Sequence, residues 1–390
     1  VHAHQRNIRA YTGDKMIEPK LFYDLLLEND VDFFTGVPDS LLKNICAYIT
    51  DKTDPEHNII AANEGNAIGL ASGYHLATGK TPLVYMQNSG LGNAVNPLLS
   101  LAAPEVYGVP ILLMIGWRGE PGVKDEPQHV KQGEVMLAML DAMKIDYEIL
   151  PDDIYKAKPI IEQMIRQIHE SKTQKALIIK KNTFTKYALQ GSSFNQFQLS
   201  REDAIQAIVG HLDESDIIVS TTGKASRELF ESRTAANSGH QRDFLTVGSM
   251  GHANQIALGI ALKKKNRTVY CFDGDGAALM HTGGMGIIGS YKAANFKHIL
   301  FNNGSHESVG GQPTIGLEIN MAPIAEGFKY KTIFQASCLE DINAQMPQIK
   351  AMDGPILLEI KIASSSRTDL GRPTISPKDN KIDFMRFLED

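Results

Sequence analysis

The sequence predicts an α/β protein made of two similar domains, each built on a doubly wound parallel sheet. From Glu18 onward, amphipathic stretches of ten or more residues alternate with short apolar runs rich in Val, Ile and Leu. The length of 390 residues allows about two domains of ~150 to 200 residues each. In addition, residues 65–90 align without gaps on residues 251–276, with small residues at matching positions. We therefore expect two copies of one α/β unit.

The apolar runs predict the buried strands, and the longer stretches between them predict helices. The predicted strands are Val31–Thr35, Asn58–Ala61, Pro82–Gln87, Val109–Ile115 and Ala176–Lys180 in the first half, and Ile217–Ser220, Thr268–Phe272, Ile299–Phe301 and Ile356–Ile360 in the second. Residues 190–199 are polar, Ser-rich and aperiodic, and Ser200 with two following acids predicts a helix N-cap. We expect a flexible extension over 1–15, a first domain over 16–189, a linker over 190–199 and a second domain over 200–390.

Composition excludes several classes of protein. The 39 Lys and Arg residues are outnumbered by 45 Asp and Glu residues, and they form no basic tract, which argues against nucleic-acid and anionic membrane surfaces. The three cysteines, Cys46, Cys271 and Cys338, lack the spacing of a disulfide scaffold or a zinc site. No apolar run approaches the ~18 residues of a membrane span, and the first fifteen residues lack the apolar core of a secretory signal. We expect a cytoplasmic protein whose partners are a small molecule and other subunits.

Two polar clusters follow neighbouring predicted strands of the second half. Gly274-Asp275-Gly276 comes after Thr268–Phe272, and Asn302-Asn303 comes after the run that ends at Phe301. The carboxyl ends of parallel strands form the ligand-binding edge of a sheet, and carboxylate and amide oxygens suit Mg²⁺. Either cluster alone could be an ordinary turn, because Gly, Asp and Asn are common turn formers.

Taken together, the two clusters resemble the diphosphate and magnesium motif of thiamine diphosphate enzymes. The resemblance implies that Asp275 and Asn303 give side-chain oxygens to Mg²⁺ and that the Ser305 carbonyl gives a third ligand. Asn302 fits that role less well. Gly274, Gly276 and Ala277 would lie on the diphosphate, although the family often has a hydroxyl residue where this chain has Ala277.

Two further turns of the second half resemble cofactor-contacting turns of the same family. In Gly248-Ser249-Met250-Gly251, Met250 would support the cofactor from below, and the Gly248 carbonyl with the Met250 amide would hold the edge of its aminopyrimidine. The turn Thr222-Gly223 would also contact the cofactor. Without the resemblance, Met250 would more often be a core methionine, and a plain turn would explain Thr222-Gly223 nearly as well.

Glu64 resembles the acid that this family places on N1′ of the aminopyrimidine. It lies between a predicted strand and a helix rich in small residues, where an acid commonly serves only the helix dipole. The resemblance implies a catalytic role, because proton transfer to N1′ activates the adjacent amino group as the base that the reaction needs.

Three segments narrow the resemblance to the 2-oxo acid decarboxylases, and among them to the phosphonopyruvate and sulfopyruvate decarboxylases. These segments are residues 36–40 (GVPDS), 88–93 (NSGLGN) and 125–129 (DEPQH). Sulfopyruvate decarboxylases commonly divide the two halves between two chains, so one fused chain favours decarboxylation of 3-phosphonopyruvate, a step of phosphonate biosynthesis. The alternatives are sulfopyruvate decarboxylation, an acetolactate-type carboligase and a non-catalytic nucleotide-binding module. The family also implies a homodimer or a larger even-numbered homo-oligomer with sites at interfaces.

The second anion of such a substrate needs several hydrogen-bond donors. The polar segment 118–133 offers Arg118, His129 and Lys131, and Ser40 and Asn88 lie on other turns expected at the same edge. Arg118 and Lys131 could equally belong to a solvated loop. His129 is favoured as a catalytic residue, because related decarboxylases place histidines there that handle the substrate and return a proton.

Overall fold

Two six-stranded parallel sheets organise the residues that the computed structural model describes, 16–191 and 195–389. The first sheet has the order β2-β1-β3-β4-β6-β5, and the second has the order β11-β12-β10-β9-β7-β8. Counted from the start of each half, both sheets have the same strand order, 2-1-3-4-6-5. The strands are β1 Phe34–Gly36, β2 Asn58–Ile60, β3 Leu83–Gln87, β4 Ile111–Gly116, β5 Asp146–Ile149, β6 Gln174–Ile179, β7 Ile217–Ser220, β8 Asp243–Leu245, β9 Val269–Gly274, β10 Phe296–Asn302, β11 Thr332–Ala336 and β12 Ile356–Lys361.

Helices cover both faces of each sheet, so that the core consists of four apolar clusters, one on each face. This arrangement confirms the predicted class of two doubly wound α/β units. The helices are α1 Pro19–Glu28, α2 Lys43–Lys52, α3 Glu64–Thr78, α4 Leu91–Pro97, α5 Pro127–Ala142, α6 Ile154–Ser171, α7 Arg201–His211, α8 Lys224–Ala235, α9 Ala253–Lys263, α10 Asp275–Met280, α11 Gly283–Tyr291, α12 Met321–Gly327, α13 Leu339–Ala351 and α14 Pro377–Glu389.

The internal repeat seen in the sequence corresponds to equivalent elements. Residues 65–90 form α3 and β3, and residues 251–276 form α9 and β9. In both halves this helix precedes the third strand, and a glycine turn follows that strand. The small residues let each helix pack closely on its sheet: Ala67 and Ala71 of α3, and Ala257 and Ala261 of α9, are buried.

All nine predicted strands are present, with ends displaced by up to three residues. The three strands that were not predicted, β5, β8 and β11, each lie at the edge of a sheet. An edge strand has a neighbour on one side only, and two of these are more exposed and more polar than the central strands, as in Asp146–Ile149. The third, β8, has only three residues.

The predicted N-cap is confirmed, because the Ser200 hydroxyl accepts a hydrogen bond from the Asp203 amide at 3.0 Å at the start of α7. The proposed extension over 1–15 and residues 192–194 of the proposed linker lie outside the described residues. Between 16–191 and 195–389, no helix combines the length and apolar character needed to cross a membrane.

Candidate active site

The two halves of one chain contact each other through residues next to predicted site residues. The Asn63 side chain donates to the Met280 carbonyl at 3.1 Å, which places the start of α3 against the end of α10. At a second point, a Cβ added to Gly248 would lie 3.1 Å from the Gln128 Cβ. Glu64 follows Asn63, and His129 follows Gln128. The structure therefore brings these two candidates of the first half toward the candidate cofactor turns of the second.

Asp275 lies at the junction of β9 and α10 and is only 4% exposed. Burial raises the pKa of its carboxyl to about 6, against hydrogen bonds from the Thr314 hydroxyl and from backbone amides, including that of Asn303. The space around the carboxylate is closed by Gly316, where an added Cβ would come within 2.5 Å of Asp275 Oδ2. Asp275 is thus a buried anion held among oxygen and amide groups.

The two asparagines at the end of β10 have different surroundings. Asn302 is fully buried, and its amide nitrogen donates to the Gly316 carbonyl at 2.7 Å and to Glu359 at 2.8 Å. Asn303 accepts from the Ser305 amide at 3.0 Å, and its backbone amide donates to Asp275. Asn302 therefore holds neighbouring strands and turns together, whereas the Asn303 backbone contacts the Asp275 carboxylate directly.

The turn before α9 adopts a conformation that fixes Met250 beside the Asp275 turn. Ser249 and Gly251 both have positive φ, 55° and 84°. As a result, Met250 Cε lies 3.4 Å from where a Cβ on Gly276 would stand. Gly223, with φ of 100°, precedes α8 at the end of β7. Glycine adopts such φ values without strain at Gly223 and Gly251, whereas Ser249 is a non-glycine residue in the left-handed region.

Glu64 begins α3 and is 5% exposed. Its Oε2 accepts a hydrogen bond from the Asn93 side chain at 2.8 Å. The other oxygen lies against Gly90, where an added Cβ would be only 2.1 Å from Glu64 Oε1. The absence of a side chain at Gly90 therefore makes room for the carboxyl.

His129 lies in the first turn of α5, and its Nδ1 is buried with no partner among residues 16–191 and 195–389. Burial first, and then the nearby Arg118 charge, lower the pKa of His129 to about 4. The imidazole is consequently neutral near pH 7 and has a free ring nitrogen. The neighbouring Gln128 Oε1 is buried without a partner as well, again within the described parts of the chain.

Arg118 organises the other turns of the first half. Its guanidinium donates to Asp125 Oδ2 at 2.8 Å and to the Ser40 hydroxyl at 2.6 Å, and its backbone exchanges two hydrogen bonds with the Asn88 side chain. Although burial acts in the opposite sense, the hydrogen bonds from Arg118 and Gly119 lower the pKa of Asp125 to about 2. Ser40, Asn88 and Arg118 are therefore brought together as expected.

A cavity of about 210 Å³ adjoins this cluster, and Ser40, Arg118, Lys124 and Lys181 contribute to its lining. Its two acidic side chains already have cationic partners, since Asp125 binds Arg118 and Glu120 binds Lys180. In the described ranges, neither Lys124 nor Lys181 has such a partner. The cavity therefore carries positive charge that no neighbouring carboxylate neutralises.

Lys131 has a different position from the other substrate candidates. Its side chain is 76% exposed and forms an ion pair with Glu134 at 3.1 Å on the surface of α5. It does not line the 210 Å³ cavity. A larger groove of about 650 Å³ runs along edge strand β5, and none of the sequence-predicted site residues lines it.

The residues present fit the predicted metal ion and cofactor. Asp275, Asn303, Ser305 and Thr314 offer the hard oxygen donors that Mg²⁺ prefers. Buried polar atoms without a partner in the described chain lie on both halves, at Gln128 and His129, at His281, and on both side-chain atoms of Gln312. Such atoms normally have hydrogen-bond partners, so the set is suited to a polar ligand.

Several residues around these candidates had no predicted role. Thr314 contacts Asp275 from a Gly-rich loop, and that composition was the only signal of a tight approach. Asp125, Gln128 and Asn93 fall inside the segments that carry the family resemblance, but spacing alone does not indicate which carboxylate or amide turns inward. The pairing of Lys180 with Glu120, which leaves Lys181 free of a carboxylate, is a tertiary feature that the sequence does not show.

Comparisons with known proteins agree with this geometry. The model for the N-terminal TPP binding domain of thiamine pyrophosphate enzymes matches residues 19–145, and the model for the C-terminal TPP binding domain matches residues 222–360. The chain is 29% and 30% identical to phosphonopyruvate decarboxylases of Streptomyces viridochromogenes and Streptomyces hygroscopicus, over 90% and 91% of this chain and 90% of each relative. It is 25% identical to a sulfopyruvate decarboxylase of Methanosarcina acetivorans, over 94% of this chain and 96% of that relative.

Proposed function

The chain belongs to the family of thiamine pyrophosphate enzymes, and on that premise we propose that it is a carboxy-lyase converting 3-phosphonopyruvate to phosphonoacetaldehyde and CO₂. The observation that carries the choice of substrate is the cavity beside the Arg118 cluster, where Lys124 and Lys181 add positive charge without neighbouring carboxylate partners. A phosphonate can carry two negative charges and matches several donors at once. The match to two phosphonopyruvate decarboxylases along both halves supports the same substrate.

Sulfopyruvate is the second candidate substrate, and the fusion of the two halves does not exclude it. The Methanosarcina acetivorans sulfopyruvate decarboxylase is itself matched over 96% of its length by this one chain. Fusion of the two halves therefore does not identify the substrate by itself. Charge remains the criterion, because a sulfonate carries one negative charge where a phosphonate can carry two.

Mg²⁺ would be held by Asp275, Asn303 and the Ser305 carbonyl, with Thr314 beside them. When bound, thiamine diphosphate would supply the electron sink that decarboxylation requires. Thr222, Gly223, Gly248, Met250, Gly274, Gly276 and Ala277 would line its binding surface. The contact between Met250 and the Gly276 position supports this assignment, because it joins two of these turns around one space.

Glu64 would hold a proton at N1′ of the aminopyrimidine. Its burial and its single hydrogen bond from Asn93 fix the carboxyl in one orientation. An acid that exchanges a proton in each cycle must stay within hydrogen-bond reach of one atom, and the close packing against Gly90 restricts its movement.

His129 would contact the substrate and return the proton that replaces CO₂. Because its ring is neutral, His129 would first take up that proton, and its unpartnered Nδ1 is free to receive it. A bound anionic substrate would favour the protonated ring. We further propose that the active protein is a homodimer or a larger even-numbered homo-oligomer with sites at subunit interfaces. The contacts of Asn63 with Met280 and of Gln128 with the Gly248 turn join the halves of one chain, so an interface site requires the partner subunit to make these same contacts instead.

The test is release of CO₂ from 3-phosphonopyruvate, sulfopyruvate and pyruvate, with and without thiamine diphosphate and Mg²⁺. Cofactor-dependent turnover with the highest kcat/KM for phosphonopyruvate is expected. Changing Lys124 and Lys181 together to Ala should lower kcat/KM for phosphonopyruvate far more than for pyruvate, and the surface variant Lys156→Ala is the control. Equal kcat/KM for phosphonopyruvate and sulfopyruvate would reject the proposed specificity, and turnover without cofactor would reject the reaction class.

A further inference from the structure

A hydrogen-bonded network of buried polar side chains lies beneath the candidate cofactor turns of the second half. Asp273 stands on β9, and His298 stands on the neighbouring strand β10, facing the same side of the sheet. Both are fully buried, and Tyr330, which follows α12, is 4% exposed. The reaction proposed above uses none of these groups, although burying them is costly unless each is hydrogen-bonded.

Every side-chain polar atom of Asp273, His298 and Tyr330 has a hydrogen-bond partner. Asp273 Oδ1 accepts from the Gly274 amide at 3.0 Å, and Oδ2 lies 3.2 Å from the Asn254 amide nitrogen and 3.4 Å from His298 Nε2. His298 Nδ1 is 2.9 Å from the Tyr330 hydroxyl. One proton arrangement satisfies all of them: Tyr330 donates to Nδ1, and Nε2–H donates to Asp273.

These hydrogen bonds distinguish the network from a metal site. Cys271, Asp273 and His298 have potential ligand atoms within 4.8 Å of one another, which would be close enough to share an ion. However, both nitrogens of His298 and both oxygens of Asp273 already have partners. Burial also raises the pKa of the Cys271 thiol well above its usual value, whereas a metal requires the thiolate.

Asp273 connects two turns that are far apart in sequence. Gly274, whose backbone amide donates to Asp273 Oδ1, opens the Gly274-Asp275-Gly276 turn. Asn254, which donates to its other oxygen, lies in the first turn of α9, three residues after Gly251. Asn254 also accepts from Gln255, which donates to the Gly284 carbonyl at 2.9 Å, so the link continues into α11.

We propose that Asp273, oriented by His298, is a positioning residue that fixes the distance between the diphosphate turn and the aminopyrimidine turn. A cofactor that is held at both of its ends binds more tightly when the two turns already have the right separation before it arrives. The inference rests on the proposed function, because it takes thiamine diphosphate to occupy these two turns.

The first variant is Asp273→Asn. In either orientation of the new amide, its NH₂ group faces a donor, the Gly274 amide in one and the Asn254 side chain in the other. Either orientation breaks one of the two hydrogen bonds that connect residue 273 with the turns, while side-chain volume is kept. At saturating Mg²⁺, we expect the Kd for thiamine diphosphate, measured by isothermal titration calorimetry, to rise about tenfold, the change that corresponds to one lost buried hydrogen bond.

An exchange of the two groups tests whether the link itself matters. In the double variant Asp273→Asn with Asn254→Asp, the amide and the carboxylate trade places, and the carboxylate at position 254 still accepts from Gln255. His298 can move its proton to Nδ1. The Kd should return to within about threefold of wild type, although each single change weakens binding. A double variant that binds as weakly as the sum of the single changes would overturn the proposal.

Asn295→Ala is the matched control. Asn295 donates to the Ala261, Lys264 and Arg267 carbonyls, so the variant loosens the opposite end of α9, away from both turns. We expect it to lower the melting temperature of the cofactor-free protein and leave the Kd unchanged. A Kd raised as much as in Asp273→Asn would show that general loosening explains the effect and would overturn the proposal.

The remaining outcomes separate this inference from the proposed function. If wild-type protein binds no thiamine diphosphate with Mg²⁺, the proposed function fails. If wild type binds the cofactor and Asp273→Asn binds it equally well, only the positioning role fails. Stoichiometric zinc in the purified protein, lost in His298→Gln, would replace the hydrogen-bond network with a metal site.

Discussion

Gly90→Ala offers a direct test of the role of Glu64, because it displaces the carboxyl without changing its charge. The new Cβ would stand 2.1 Å from Glu64 Oε1 and 2.5 Å from its Cδ. Ordinary contacts are about 3.4 Å, so the carboxyl must move by about 1.3 Å. Gly90 has φ of −73°, which alanine adopts freely, so the substitution causes no backbone strain of its own.

The expected effect follows from that displacement. A misplacement of about 1 Å can slow a reaction about 100-fold, and overpacking should destabilise the fold by about 1 to 3 kcal/mol. We expect Gly90→Ala to slow hydrogen–deuterium exchange at C2 of bound thiamine diphosphate by about that factor, as measured by NMR after rapid quenching. Gly92→Ala is the control, since a Cβ at Gly92 meets no atom within 4 Å.

A double variant identifies the route of the effect. If Gly90→Ala acts by moving Glu64, it should add nothing to Glu64→Gln, which already removes the proton donor. An exchange rate in Gly90→Ala equal to that of Gly92→Ala would refute the role assigned to Glu64. Further slowing in the Glu64→Gln background would mean that Gly90 acts on some other part of the site.

Four further predictions concern the metal, the assembly, the turnover of His129→Ala and the pH dependence of stability. Asp275→Ala should abolish tight retention of Mg²⁺ and thiamine diphosphate, and calorimetric binding equal to wild type would contradict the metal assignment. In a mixture of Glu64→Gln and Asp275→Ala subunits, interface sites should restore about a quarter of wild-type activity after random exchange into dimers; no recovery in demonstrably exchanged subunits would assign each site to the halves of one chain. His129→Ala should lower turnover of phosphonopyruvate without weakening cofactor binding. Because the pKa of His129 is lowered from 6.5 to about 4, its contribution to stability is complete above pH 6.5 and is lost as the pH falls toward 4; His129→Gln should flatten that part of the urea-unfolding profile.

The sequence predicted the central strands and the edge strand β2, and it missed the other three edge strands. A strand between two neighbours is buried on both faces and reads as a continuous apolar run, as in Ile111–Gly116. The edge strand Asp146–Ile149 is mostly exposed and has the composition of a loop. The candidate turns at Thr222-Gly223 and Gly274-Asp275-Gly276 follow the central strands β7 and β9, where ligand-binding turns are expected. The Gly248–Gly251 turn follows the edge strand β8, and only its glycines and its resemblance to the family indicated it.

Charge pairing is the part of the site that the sequence did not indicate, and it decides which cations can bind a substrate. Arg118 and Lys131 were equivalent candidates in the sequence, yet the first is packed between Ser40 and Asp125 and the second is an exposed partner of Glu134. Because Arg118 is already paired with Asp125, it shapes the cavity more than it adds free charge. The free charge comes from Lys124 and Lys181, which belong to no motif. Only the folded structure shows that neither lysine has a carboxylate partner in the described parts of the chain. If the proposed function is correct, discrimination between phosphonate and sulfonate would depend on this tertiary placement of the lysines.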